Sequence, residues 1–190
     1  MPKQMKVMYD TEFLEDGFSI DLISIGMVRA DGKEFYAVSK EFDTRRVSRH
    51  EWLMGNVMPY IEHEEVINYT NVQGMPVKDL VITDPYAMTR REIRNGILEF
   101  VGDIWPEFWA WYGAYDHVAL CQLFGRMLDL PKNFPMFTND LKQLHKRAGS
   151  PKMPPQPQGL HNALDDARQN WEKYRYLTEL IVNNGAVDVP

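Results

Sequence analysis

Cysteine is nearly missing: Cys121 stands alone in 190 residues. A single thiol excludes a disulfide framework and any zinc site built on cysteine pairs. Its apolar neighbours, Val118-Ala119-Leu120 and Leu123-Phe124, make it a small core residue. Long uncharged apolar runs are also lacking, so no stretch reads as a membrane span. Residues 1–7 include Lys3 and Lys6 and hold no apolar block of the secretory type, so the expectation is a soluble, cytoplasmic chain with no membrane partner. Positive charge is in deficit, with 21 Lys and Arg against 27 Asp and Glu and a net charge of −6. That balance argues against a protein that coats long nucleic acid by neutralising phosphates. It is compatible with a site that gathers carboxylates around cations, because bound divalent ions reverse the local sign. No Walker loop, no G-x-G-x-x-G and no G-x-S-x-G occurs. His50-Glu51 and His63-Glu64 begin like a zinc-protease helix, but Met54 and Ile67 stand where its second histidine belongs.

What is present suffices for a core. The chain is 44% hydrophobic and 12% aromatic, and its length suits one domain, residues 1–190, with an insertion at about 43–88. Val7 to Glu12 alternates as a strand that puts Met8, Asp10 and Glu12 on one face. An apolar run from Ile20 to Val28 follows, then Ala30-Asp31-Gly32 and a third strand from Phe35 to Val38, which is the pattern of a hairpin and an antiparallel meander. Residues 43–88 lose this regularity: a short helix is expected over Arg49 to Ile61, an irregular segment over Tyr69 to Tyr86, and too little apolar content for a separate core. Thr89-Arg90-Arg91-Glu92 has capping-box spacing, and Ile93, Ile97, Phe100 and Val101 give the helix behind it one buried face. A strand over Glu107 to Tyr112, a helix from Tyr115 to Phe124 and another over Leu141 to Ala148 follow. The four-proline loop 149–159 comes next, and a long last helix starts near Ala163. The predicted architecture is an α/β sandwich around a mixed sheet.

Three acidic elements fall at element ends. Asp10 and Glu12 close the first strand, where unpaired carboxylates are costly to desolvate unless something cationic sits between them. Asp116, in Tyr112-Gly113-Ala114-Tyr115-Asp116-His117, falls in the first turn of a helix, where by itself it needs no role beyond favouring the helix dipole. His161 precedes the last helix, Asn162 is its N-cap, and Asp166 follows one turn in. Each element alone is ordinary. Together they supply what two-metal phosphodiester hydrolysis requires: carboxylates for a pair of cations and a base titrating near neutrality. An all-oxygen donor set suits Mg²⁺ or Mn²⁺. The basic stretch Lys142, His145, Lys146, Arg147 and Lys152 reads as a solvated helix face, and the five tryptophans read as core.

Four segments carry a resemblance to a family: Tyr-Asp-Thr-Glu-Phe at 9–13, Ala-Tyr-Asp-His-Val-Ala-Leu at 114–120, Met-Phe-Thr-Asn-Asp-Leu-Lys at 136–142 and His-Asn-Ala-Leu-Asp-Asp-Ala at 161–167. The chain resembles the DEDDh 3′→5′ exonucleases and looks closest to their small exoribonuclease branch described from mycobacteria, which is similar to phage exonucleases. The resemblance implies a ribonuclease H-like fold with a mixed five-stranded sheet, an antiparallel meander of strands followed by parallel ones, flanked by helices. It implies Asp10, Glu12, Asp116 and Asp166 as ligands of two Mg²⁺ or Mn²⁺ ions, His161 as general base, RNA 3′ ends as substrate and nucleoside 5′-monophosphates as products. A homodimer is a further implication. Thr11, Phe13, Leu14 and Tyr112 are the candidates for substrate contact. Phe13 or Leu14 would wedge against the terminal base, or serve as a half-buried apolar contact. Tyr112 stands where proofreading relatives carry Asn. The rival readings are a 3′→5′ exodeoxyribonuclease on the same fold and a catalytically silent nucleic-acid-binding domain.

Overall fold

Alternating burial over Gln4–Glu15 makes β1, a long interior strand. A computed structural model of the chain describes residues 3–70, 73–156 and 160–183, the side chains of 68–70 excepted. β1 is followed by β2 (Ile20–Arg29) and β3 (Glu34–Ser39), each antiparallel to the strand before it. The turn between β2 and β3 uses Gly32 at a φ of 85°, a left-handed conformation that costs glycine nothing.

The chain continues through α1 (Thr44–Val47), α2 (Glu51–Asn56), β4 (His63–Thr70), β5 (Pro76–Ile82) and the two-residue β6 (Ala87–Met88). Then come α3 (Arg90–Val101), β7 (Trp105–Ala110), α4 (Ala114–Gln122), the short β8 (Asn139–Asp140), α5 (Leu141–Arg147) and α6 (Ala163–Asn183). The main sheet has the order β6-β3-β2-β1-β7-β8, with β7 parallel to β1, β8 parallel to β7 and β6 parallel to β3. All five strands of the expected sheet are there; β6 adds a sixth at the edge. The capping box on α3 forms as its sequence predicts, with Thr89 and Glu92 each bonded to the other's backbone.

Burial divides into three clusters. Val7, Tyr9, Ile25 and Met27 meet Ile93, Ile97 and Phe100 of α3 and Ala119 and Leu120 of α4 on one face of the sheet. On the other face Met8 and Trp109 meet Leu141 and Leu144 of α5 and Tyr174, Leu177 and Ile181 of α6. The third cluster joins Leu14, Ile23 and Val38 of the sheet to Leu53, Val57, Met58, Ile61 and Leu80 of the segment 43–88.

That segment departs from its sequence reading. The single helix expected over Arg49 to Ile61 is a shorter α2 followed by one turn of 3₁₀ helix at Met58–Tyr60, where Pro59 removes a donor. The stretch expected to be irregular pairs instead as the antiparallel β4–β5 ribbon. Residues 71–72, part of that stretch, and the end of the proline loop, 157–159, lie outside the described residues. Among the described residues, the buried apolar side chains of the segment cluster with those of the sheet, on which it is mounted. Leu53, 3% exposed, tests that mounting. Leu53→Ala should cost about 2–5 kcal/mol. The loss should appear in one cooperative urea transition followed by both tryptophan fluorescence and circular dichroism; two separate transitions would mean that 43–88 folds independently.

Candidate active site

The register shift opposite Glu12 and Phe13 leaves Ile23 of β2 unpaired, so β2 bulges while β1 keeps its alternation past its acids. Asp10 is half-buried and Glu12 is 8% exposed. Asp116, on the first turn of α4, is 5% exposed, and its Oδ1 accepts from both the backbone N–H of Thr11 (2.8 Å) and the Thr11 hydroxyl (2.7 Å). Asp166, on the first turn of α6, accepts from the backbone N–H of His161 (2.8 Å) and from the Gln156 amide (2.7 Å). Asn162 caps that helix, its Oδ1 accepting from Leu164 and Asp165 N–H at 3.1 and 3.2 Å. β1, α4 and α6 thus deliver four carboxylates to one place.

His161 reaches the same place. Its φ of 68° puts it in the left-handed region, and its Nδ1 lies 4.0 Å from Glu12 Oε1. Glu12, His161 and Asp166 each offer a ligand atom, and these atoms all lie within 4.8 Å of one another. The contact with Glu12 is the only charge pairing within 4.0 Å that any of the four acids makes among the described residues. The nearest cationic influence on Asp10 is Lys173, whose Nζ bonds Asn170 Oδ1 at 3.2 Å and stands 4.8 Å from the Trp111 ring.

Uncompensated charge shows in the acidities. Burial, then the charges of Asp166 and Asp116, push Glu12 from the ordinary 4.5 up to about 8. Burial raises Asp116 to about 6 against the two Thr11 hydrogen bonds, which pull the other way. Asp10 is held well above the carboxylate range by burial first, then by Asp116, Glu12 and Asp166, with Lys173 opposing. Four acids so placed are hard to ionise together without a cation, and a donor set of carboxylates fits a hard divalent metal such as Mg²⁺ or Mn²⁺.

The substrate-contact candidates separate. Tyr112 is 61% exposed with a φ of 60°, a rare conformation for a bulky residue and one that turns its ring outward. Phe13 is half-buried and stacks on Tyr115, ring centroids 5.9 Å apart. Leu14, two residues past Glu12 on the same face of β1, is 3% exposed and packs into the cluster under 43–88. Thr11 is 5% exposed and both of its donors serve Asp116, so it holds a carboxylate. The basic stretch is no single solvated face either: Lys142 lies 5.1 Å from the Trp111 ring, and His145 is 8% exposed and bonds the Pro151 carbonyl.

Gly26 is a site residue that sequence reading passes over. It pairs with Asp10 across β1 and β2. A Cβ there would lie 2.3 Å from the backbone of Ala163 and Leu164, so only glycine lets α6 start directly against the sheet. A glycine inside an apolar strand is the signal that could have found it.

Fold and site together define an α/β protein of the ribonuclease H-like class with a carboxylate centre at the end of its first strand. Residues 5–178 match the family of the 3′-5′ exoribonuclease Rv2179c-like domain, and the chain belongs to that family. Two relatives from Mycobacterium tuberculosis, 3′-5′ exoribonuclease Rv2179c of strain H37Rv and 3′-5′ exoribonuclease MT2234.1 of strain CDC 1551, are each 44% identical over 177 residues. The match covers 92% of this chain and 94% of each relative.

Two outcomes follow from the site's geometry. A carboxyl with a raised pKa keeps its proton in the fold where the unfolded chain has lost it, so its stabilisation is full below the unfolded value and is lost as pH rises through the folded one. For Glu12 that window runs from 4.5 to about 8. Melting in EDTA should fall across it, and Glu12→Gln should flatten the fall; an unchanged slope would reject the assignment. Gly26→Ala should cost about 1–3 kcal/mol through overpacking and displace Asp166 and His161 from β1. Calorimetry and divalent-ion titration would read both effects, and wild-type melting with wild-type metal affinity would count against the close approach.

Proposed function

We propose that this chain is a divalent-metal-dependent 3′→5′ exoribonuclease of DEDDh type that releases nucleoside 5′-monophosphates from RNA 3′ ends. The observation that carries the reading is the convergence of Asp10, Glu12, Asp116 and Asp166, the first three with pKa values raised by burial, with no lysine or arginine within 4.0 Å of any of the four among the described residues. Family membership and the names of the relatives support the reaction, its direction and RNA as the polymer. The four carboxylates would hold two ions, Mg²⁺ or Mn²⁺. Such ions supply positive charge at the scissile phosphate and at the leaving 3′ oxygen.

The protein's own groups do the rest. Thr11 fixes Asp116 through two hydrogen bonds, and Gln156 and the His161 N–H fix Asp166. His161, its side chain 36% exposed, takes the proton from the attacking water at an imidazole nitrogen. Asn170 ties α6 to β1 by donating to the Tyr9 carbonyl at 3.2 Å, so the two halves of the centre keep register. Phe13 with Tyr115, and Tyr112 beyond them, offer exposed aromatic surface on which unpaired bases stack.

End-labelled RNA and DNA, each with and without a 3′ overhang, incubated with Mg²⁺ or Mn²⁺ and then with EDTA, test the proposal. Single-nucleotide ladders on RNA that EDTA abolishes are expected. Ladders mainly on DNA would transfer the activity to DNA, and no cleavage under any condition would sink the enzyme reading. Asp116→Ala should lose most turnover together with metal affinity. His161→Ala should slow chemistry by about 10²–10⁴-fold with metal binding largely kept; equal loss of affinity would make His161 a ligand.

A further inference from the structure

The segment 43–88 reaches the carboxylate centre through α2. Trp52, on α2, meets the His161 imidazole edge to face, with ring centroids 4.7 Å apart and planes inclined at 76°. Trp52 is 49% exposed, so its ring forms a wall at the surface and is not buried filler. His161 needs such a contact. Its imidazole makes no hydrogen bond among the described residues, and Glu12 lies at 4.0 Å, beyond hydrogen-bond reach. Its backbone is fixed through the N–H to Asp166, but its χ angles are not.

The mounting of Trp52 is rigid. Its neighbour Leu53 is 3% exposed in the cluster that includes Leu14, two residues beyond Glu12 on β1. The Trp52 backbone is therefore referenced to the strand that carries Asp10 and Glu12, whereas His161 follows the proline loop. A ring attached to β1 through α2 ties the imidazole to the strand that carries Asp10 and Glu12.

We propose that Trp52 is a positioning residue: the segment 43–88 serves the reaction by fixing the orientation of the His161 imidazole through an aromatic contact. This rests on the reading of His161 as the base. An aromatic pair of this geometry gives a modest attraction, but a base misplaced by about 1 Å costs about 10²-fold in rate.

Steady-state hydrolysis of a single-stranded RNA would be measured for Trp52→Leu, Trp52→Phe, His161→Ala and the double variant Trp52→Leu/His161→Ala, with melting curves confirming that each is folded. Trp52→Leu should lower kcat by about 10–100-fold with little change in KM, and Trp52→Phe, which keeps a ring, should recover most of it. The double variant should be no slower than His161→Ala, since a positioner has nothing left to position. A raised KM with kcat intact would make Trp52 a nucleobase-stacking wall and overturn the proposal. Losses that multiply in the double variant, or a Phe variant as slow as Leu, would overturn it as well. Near wild-type turnover by His161→Ala would instead remove the reading of His161 as base, and Trp52's role with it. That result is separate from a slow His161→Ala beside an unaffected Trp52→Leu, which removes the positioning role alone.

Discussion

Negative charge that the protein does not neutralise is the constraint around which the rest is arranged. Asp10, Glu12, Asp116 and Asp166 repel one another in a partly desolvated pocket, and burial alone lifts each affected carboxyl before its neighbours add to the shift. Ordinary proteins relieve such a cluster with arginine or lysine. Here the partners are hydrogen-bond donors: Thr11 twice on Asp116, and Gln156 and a backbone amide on Asp166. Donors orient a carboxylate without filling the space in front of it, which a guanidinium would occupy. The arrangement gives up stability in the metal-free protein and keeps room for cations.

Holding four repelling groups together requires stiff attachment, and the fold provides it from three sides. β1 lies inside the sheet with β2 and β7 as neighbours, and α4 and α6 pack on opposite faces with their first turns at its acidic end. Gly26 removes the side chain that would hold α6 off the sheet, directly across from Asp10. Helix N-termini also bring positive dipole ends toward Asp116 and Asp166, an attraction that offsets part of the repulsion. Leu14, two residues past Glu12 on the same face of β1, packs into the cluster under 43–88, so the same strand anchors both the acids and the segment beside them.

Elements with strong periodicity or capping chemistry were legible in the sequence. β1 to β3, the α3 capping box and the buried face of α3 follow from alternation, an Asp-Gly turn and helical spacing. Asp116, His161 and Asp166 were picked out as candidates because they stand at helix starts, whereas Asp10 and Glu12, read as closing the first strand, lie within β1, which runs on to Glu15. The β4–β5 ribbon was not legible: consecutive charged residues, Glu64-Glu65 and Lys78-Asp79, put charge on both faces and break any apolar alternation, and its stability comes from docking on the sheet, which no local pattern reports. The surroundings of Leu14 and Thr11 were not legible for a related reason: Leu14 is covered by the docked segment, and the Thr11 hydroxyl bonds a residue 105 positions away. Trp52 gave no local signal at all, since one tryptophan in five looks like core until a partner from a distant loop stands 4.7 Å from it.

An acidic chain that takes a polyanion as substrate must still let it approach. The net charge of −6 repels RNA at long range, and screening at physiological salt confines that repulsion to about 8 Å. Within that distance the local groups decide. Lys142 and Lys173 stand 5.1 and 4.8 Å from the same Trp111 ring, and Lys173 also acts on Asp10 and Asp166. The cations the site would hold and these two ammonium groups therefore lie on one flank, beside the exposed ring of Tyr112. A phosphate chain arriving there meets positive charge before it meets the bulk of the acidic surface. Overall charge then works as a filter: it weakens binding along the body of a long nucleic acid and leaves capture to a short segment at the site, which is what a 3′-end enzyme needs.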